Sequence, residues 1–292
     1  MTSQVPAPVE HDDRVAASDG VLLHIEGSGT GPTVLLIHGL GYAAWAGEPL
    51  RERLVPAGYR YLTFDNRGTG RSDKPVGPYS IDQLAVDAAA VALTAGAAPV
   101  HVIGYSMGGY IALALAEQRP GLVKSLTLIA TSAGGSHAVE VPVDTQRAWQ
   151  QASAESPADF ARATMPLSFR PGWSKENPEQ FERILRARLE NPTPAFAWRA
   201  QFEASTRFFS AGIDVRGIHI PSLVVHGTND RVVPHANGET LARLLPKAGF
   251  SSIPGAGHLS WFEEPDRLAE VILNFLADAS KGSIRTDREF DV

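Results

Sequence analysis

The chain alternates short apolar, strand-like runs with helical stretches, and that alternation limits the folds open to it. Thr33-Val34-Leu35-Leu36-Ile37 is apolar almost without interruption, as a strand buried on both faces should be. Tyr59 to Phe64, Pro99 to Ile103, Leu122 to Ala130 and Ser222 to His226 also read as strands, with a short one at Phe250 to Ile253. Helical stretches fall between them: about Trp45 to Ala57, Ser80 to about Gly96, Tyr110 to Glu117, and about Pro234 to Leu245, with a last helix at Pro265 to Ala277. Ser80 is a suitable N-cap, with Asp82 in the first turn behind it. Ahead of the alternation, Arg14 to Ala17 and Val21 to Glu26 form a hairpin around Ser18-Asp19-Gly20. Lys281 to Val292 is polar and reads as a frayed tail. The pattern predicts an α/β fold with a mainly parallel sheet, whose sites lie at the carboxyl ends of its strands.

From about Gly134 to Gly212 the alternation stops. The stretch is helical in pattern and broken by Pro157, Pro166, Pro171, Pro178, Pro192 and Pro194. It holds seven of the 12 phenylalanines and three of the 5 tryptophans. We read 134–212 as a helical cap inserted into a core made of 1–133 and 213–292. A length of 292 residues suits one α/β domain with such an insertion. Most of the aromatics should build the cap's own core. A few should face a ligand, because small-molecule pockets are apolar, aromatic and often lie at domain interfaces.

One pentapeptide carries chemistry. Gly104-Tyr105-Ser106-Met107-Gly108 stands between an expected strand and an expected helix. In that context a G-x-S-x-G run forces the serine onto a tight turn, with its hydroxyl at the top of the sheet beside a helix N-terminus. Side chains at Gly104 and Gly108 would collide with the neighbouring strand or helix. The helix end offers free N–H groups and a positive dipole to a developing oxyanion.

A serine hydroxyl needs a base and the base needs an acid. Of the 9 histidines, His258 in Gly255-Ala256-Gly257-His258 stands in a loop after the last strand, at the sheet's carboxyl end. His226 falls inside a strand, and His38 suits a role in shaping its own turn. Asp230, in Gly227-Thr228-Asn229-Asp230, follows the preceding strand. The alternative acid position, after Leu122 to Ala130, offers only Thr131, Ser132 and Ala133. The order Ser106, Asp230, His258 is the expected one for this scaffold. Two backbone donors complete the set, the N–H of Met107 and that of Leu40 in His38-Gly39-Leu40-Gly41. Tyr42, Trp149, Phe169, Trp198, Phe202 and Leu259 are the candidate pocket residues.

These residues resemble the α/β-hydrolase superfamily over nearly the whole chain. The matching pieces are His38-Gly39, the loop Asp65 to Asp73, Gly104 to Gly109, Gly227 to Asp230 and Gly257-His258. The resemblance implies an α/β-hydrolase fold: an eight-stranded, mostly parallel sheet flanked by helices, with a helical cap. It implies a serine hydrolase that needs no cofactor and no metal. The Asp65 to Asp73 loop is structural in that family. Within it, the cap and length are more weakly similar to 3-oxoadipate enol-lactonases and related carboxylesterases, which predicts a small ester or lactone as substrate. A carboxylate on that substrate would call for an arginine such as Arg170, Arg199 or Arg207. Haloalkane dehalogenases and epoxide hydrolases place a carboxylate where this chain has Ser106. Carbon–carbon hydrolases of the meta-cleavage type differ at Leu40-Gly41-Tyr42 and at His258-Leu259. That reaction, a cofactor-free haloperoxidase or perhydrolase, and a non-enzymatic ligand receptor stay as alternatives.

Composition narrows the rest. Apolar residues make up 43% of the chain, enough for a large core. The net charge of −6 comes with no basic stripe, so no nucleic-acid partner is expected. The absence of cysteine removes disulfides, thiolate metal sites and a cysteine nucleophile. Met1 to Asp13 lacks the pattern of a signal peptide, and no apolar stretch approaches membrane length. The expectation is a cytoplasmic protein, with monomer and homodimer both open.

Overall fold

The computed structural model describes residues 9–94, 98–152 and 155–281. The expected tail beyond Lys281 and the helix end near Gly96 lie outside them. Eight strands form one sheet: β1 (Val9–Ala16), β2 (Leu22–Ser28), β3 (Thr33–Ile37), β4 (Arg60–Phe64), β5 (Val100–Tyr105), β6 (Val123–Ile129), β7 (Ser222–Gly227) and β8 (Ala248–Ile253). Their order is β1-β2-β4-β3-β5-β6-β7-β8. β2 pairs antiparallel with both β1 and β4, and every other pair is parallel.

That order places the site. The chain leaves β3 toward β4 on one side, then crosses back over β3 to β5 on the other. The loops after β3 and β5 therefore diverge, opening a crevice at the carboxyl ends of two neighbouring strands. The loop after β3 begins at His38, and the one after β5 holds Ser106.

The continuous apolar runs are explained by two cores, one on each face of the sheet. Leu35, Ile37, Val100, Val102, Leu126 and Leu128 pack with α2 (Ile81–Thr94), α3 (Met107–Gln118) and α9 (His235–Leu244). The alternate residues Val34, Leu36, Ile103, Ile129, Leu223 and Val225 pack with α1 (Glu48–Leu54) and α11 (Pro265–Ser280). Successive side chains on a strand point to opposite faces, so a strand covered twice must be apolar throughout.

Between β6 and β7 come α4 (Val143–Ala152), α5 (Pro157–Thr164), α6 (Trp173–Glu176), α7 (Pro178–Glu190) and α8 (Ala195–Ala211). Part of this insertion joins the second core, through Phe169, Trp173, Phe181, Ile184 and Leu185. α8 lies over α2 and α3, where Phe208 stacks on Tyr110 at 4.6 Å between ring centroids. The chain enters and leaves the insertion at one point: the Ile213 N–H donates to the Ala133 carbonyl at 2.9 Å.

Two local expectations change. The helix expected from Trp45 is a 3-10 turn, Ala44–Gly47, followed by α1, with Pro49 near the start of the new helix. One extra turn, α10 (Ser260–Glu263), fills the space between His258 and Pro265. It stays short because Glu264, at φ −133° and ψ 57°, leaves the helical region ahead of the proline that opens α11. Among the described residues, no helix is long and apolar enough to cross a membrane.

Candidate active site

Ser106 sits between the last residue of β5 and the first of α3, at φ 53° and ψ −119°. A non-glycine residue there is strained, and the surroundings hold it in place. Its N–H donates to the Ile129 carbonyl at 3.0 Å, and its carbonyl accepts the Gly109 N–H at 2.8 Å and the Thr131 hydroxyl at 2.9 Å. Glycine is required on both sides. A Cβ on Gly108 would collide with the Ile37 carbonyl and stand 2.9 Å from that of His38. One on Gly104 would collide with the Gly108 carbonyl and stand 2.8 Å from the Ala112 Cβ.

Three side chains predicted from sequence meet in one line. The Ser106 Oγ and His258 Nε2 are 3.1 Å apart, and His258 Nδ1 is 2.7 Å from Asp230 Oδ2. The Asp230 Oδ1 accepts the N–H groups of Val232 and Val233, both at 2.8 Å. Burial pushes the Asp230 carboxyl up. The charge of His258 and the hydrogen bonds from His226 and His258 outweigh it and hold the group well below the usual carboxylate range. An ionised Asp230 accepts only, so His258 Nδ1 carries the proton and Nε2 is left to accept from Ser106. The loops behind the two residues are stitched together: the Asn229 N–H donates to the Ala256 carbonyl at 2.9 Å, and its side-chain amide donates to that of Gly255 at 3.1 Å.

His226 is a fourth member that sequence reasoning missed. Its Nε2 lies 3.1 Å from Asp230 Oδ2 and 2.8 Å from the Val233 carbonyl, so one N–H serves two acceptors. A histidine inside a strand reads as core. The available signal was its spacing, four residues before Asp230 across the strand's end.

The loop after β3 approaches the serine from the other side. The N–H of Gly41 is taken by Gln201 Oε1 at 3.1 Å, and that of Tyr42 by the Gly39 carbonyl at 3.2 Å. The loop is braced from below. His38 is buried with its Nε2 2.7 Å from the Thr63 hydroxyl, and Asn66 donates to the His38 carbonyl at 3.0 Å. Asp65 accepts the Ala44 N–H and the Arg71 N–H, each at 2.7 Å, and lies 3.1 Å from His24. The other charges of the Asp65 to Asp73 loop go to partners outside it: Arg67 to Asp19 and Asp87, Arg71 to Glu26, and Asp73 to Arg14 and the Leu22 N–H. Gln201 is a second missed residue. It is fully buried on α8 and also donates to the Arg67 carbonyl at 2.9 Å.

The candidate pocket residues separate into three groups. Tyr42 and Trp198 flank the Leu40-Gly41 loop: Tyr42 is edge-on to Tyr105, and the Trp198 ring rests on Gly41. Phe169 and Leu259 are fully buried, Phe169 in a stack with Trp173 at 4.3 Å, so they back the His258 loop from behind. Phe202 stacks on Trp198 but is 38% exposed, and Trp149 is half-buried on α4. None of the three arginines named from sequence points a free charge at the serine. Arg170 pairs with Glu176, Arg207 donates to the Tyr79 carbonyl, and Arg199 is exposed. A different arginine, Arg188 on α7, reaches Tyr42: it donates to the Tyr42 hydroxyl at 3.0 Å and lies over its ring at 4.8 Å. Its place on a helix of the insertion, far from both ends of the motif, gave no sequence signal for it.

Comparison with known proteins agrees with this architecture. The model of the α/β-hydrolase fold family matches residues 32–265. A 2-hydroxy-6-oxononadienedioate/2-hydroxy-6-oxononatrienedioate hydrolase of Dechloromonas aromatica is 31% identical over 265 residues, covering 87% of this chain and 90% of that one. A Mycobacterium tuberculosis protein assigned, provisionally, as a non-heme bromoperoxidase is 30% identical over 271 residues, covering 87% and 97%. Among solved structures, the enol-lactonase from Burkholderia xenovorans superposes with a TM-score of 0.78 at 26% identity, covering 91% of this chain and 100% of that one. With the sheet order, the strained serine and these matches together, the chain belongs to the α/β-hydrolase family.

Proposed function

We propose that the protein is a serine hydrolase that cleaves a carboxylic ester or lactone of a small, largely apolar substrate. The observation that carries this reading is the hydrogen-bonded line from Asp230 through His258 to Ser106, ending on a serine in a strained turn. Ser106 Oγ attacks the carbonyl carbon while His258 Nε2 takes its proton. His258 returns that proton to the leaving alkoxide, which leaves an acyl group on Ser106. Water, deprotonated by the same ring, then releases the acid. Asp230 holds the tautomer and stabilises the imidazolium. The N–H groups of Met107 and Leu40 receive the oxyanion, with Met107 at the N-terminus of the 12-residue α3. Residues 134–212 act as the cap, with Tyr42 and Trp198 closest to the acyl group. The fold family and the enol-lactonase likeness support this reading.

Wild-type protein should hydrolyse a short p-nitrophenyl ester, and Ser106→Ala should lose about 10⁴-fold or more in kcat/KM. Equal rates in the two proteins would end the proposal.

Arg188 favours a refinement. It is half-buried against Tyr42, and no carboxylate pairs with it among the described residues. An ester whose acyl part ends in a carboxylate would supply the missing anion. Such an ester should outcompete its neutral homologue, and Arg188→Gln should raise KM for the acidic one alone. The Dechloromonas relative's name keeps a carbon–carbon hydrolase in view. A vinylogous diketone turned over faster than every ester in a panel would favour that reading.

A further inference from the structure

His258 is anchored through the residues on both sides of it. The Gly257 N–H donates to Glu263 Oε1 at 3.0 Å, and the Leu259 N–H donates to the Ser168 carbonyl at 2.9 Å. Ser168 belongs to the insertion. So does Arg170, whose N–H donates to the same Glu263 carboxylate, 3.2 and 3.3 Å from its two oxygens. The Glu263 side chain is 1% exposed. Backbone packs against backbone here: a Cβ on Gly257 would stand 2.5 Å from the Arg170 nitrogen and 2.6 Å from the Phe169 carbonyl carbon. Beside Asp230, Arg231 ties down the same segment by donating to the carbonyls of Pro166 and Phe169, at 3.0 and 3.1 Å. One short stretch of the insertion, 166–170, is thus held by the loops of both Asp230 and His258.

We propose that Glu263 is a positioning residue for His258: it locks the Gly257 N–H, one residue before the ring, to the insertion, so the ring reaches Ser106 only while the insertion is seated. The inference rests on the reading in which His258 is the base. A carboxylate suits the task because it accepts from two converging N–H groups at once. The charged groups around it are the Arg170 guanidinium, 3.9 Å from Oε2 and paired with Glu176, and Glu264 on the adjoining residue. Burial pushes the Glu263 carboxyl up to about 7, against the two N–H donors and Arg170. Protonation turns one of the two acceptor oxygens into a hydroxyl. The geometry of the lock therefore changes as pH passes through about 7, and this ionisation of Glu263 shapes the pH dependence of activity.

The test compares Glu263→Gln with wild type and with Glu264→Gln, which removes a neighbouring exposed charge. Turnover of a short p-nitrophenyl ester is followed from pH 5 to pH 9, and the His258 ring is followed by ¹⁵N NMR without substrate. In Glu263→Gln, kcat should fall about 10- to 100-fold, the cost of a small misplacement of a reacting group, with KM within about threefold. Its pH profile should lose the ionisation near 7 that Glu263 contributes, and the His258 ring signals should shift. A kcat and pH profile matching those of Glu264→Gln, with unmoved ring signals, would overturn the proposal. Should Glu263→Gln not fold, Glu263→Asp serves: it keeps the charge but cannot span both N–H groups, and the same loss of kcat is expected. Should wild type turn over no ester, the ester reading fails and the ring signals alone decide on Glu263.

Discussion

Asp230 is the residue on which the site's electrostatics turn, because its carboxylate gathers donors from four directions: two backbone N–H groups, His226 and His258. Asp230→Asn keeps the shape but swaps an acceptor for a donor facing His258 Nδ1. It should cost about 10⁴-fold in kcat through the wrong tautomer. His226→Leu is a milder probe. It leaves the Val233 carbonyl short of a donor in a dry place, so unfolding free energy should drop by about 1–3 kcal/mol in a urea titration. A His226→Leu protein as stable and as active as wild type would show that His226 only fills space. The contrast between these histidines also explains what could be read beforehand. His258 was legible because it follows a strand in a glycine loop and closes a known order with Ser106 and Asp230. His226 was not, because nothing local separates a histidine that braces an aspartate from one that packs in a strand.

At the scale of elements, the sheet was legible and its attachments were not. Continuous apolar runs report burial on two faces, and that signal located β3 to β7 within a residue or two. The polar contacts between α8 and the loop after β3 join positions 160 residues apart, so no local pattern could reveal them. α8 also reaches the loop after β3. Gln201 holds the Gly41 N–H while Trp198 covers Gly41, which fixes the loop expected to supply the Leu40 donor. Gln201→Leu removes the acceptor from a buried N–H, a loss of about 1–3 kcal/mol. The expected result is a lower melting temperature together with a kcat reduced by more than KM is raised. A change in KM alone would place Gln201 in substrate binding instead.

For the whole molecule, buried titratable groups set how stability responds to acid. Burial holds His38 down to about 4, against the pull of Asp65, and His101 down to about 4, with Lys124 adding to the effect. A folded pKa below the unfolded one gives stability that is present above pH 6.5 and lost as pH falls toward 4. For fully buried His38 that is about 3 kcal/mol. Glu263 acts with the opposite sign: its raised carboxyl adds stability as pH falls from about 7 to 4.5. The two histidines outweigh it, so urea unfolding at pH 4.5 should give a free energy about 2–4 kcal/mol below that at pH 7. A value as high at pH 4.5 as at pH 7 would refute that balance.

The point where the chain leaves and rejoins the sheet has a consequence for engineering. Gly134 and Gly212 lie against each other's backbone, with room for no Cβ at either, and the Ala133 and Ile213 backbones are bonded across the gap. The excursion between them is a closed loop hung from a single hook. A foreign segment whose two ends also meet could be spliced there without moving β6 or β7, provided that it brings its own apolar surface to replace Phe169 and Trp173 and its own backbone partners for Leu259, Arg231 and Glu263. The hook makes this chain a chassis for exchanging the insertion while Ser106, Asp230 and His258 stay at the carboxyl edge of the sheet.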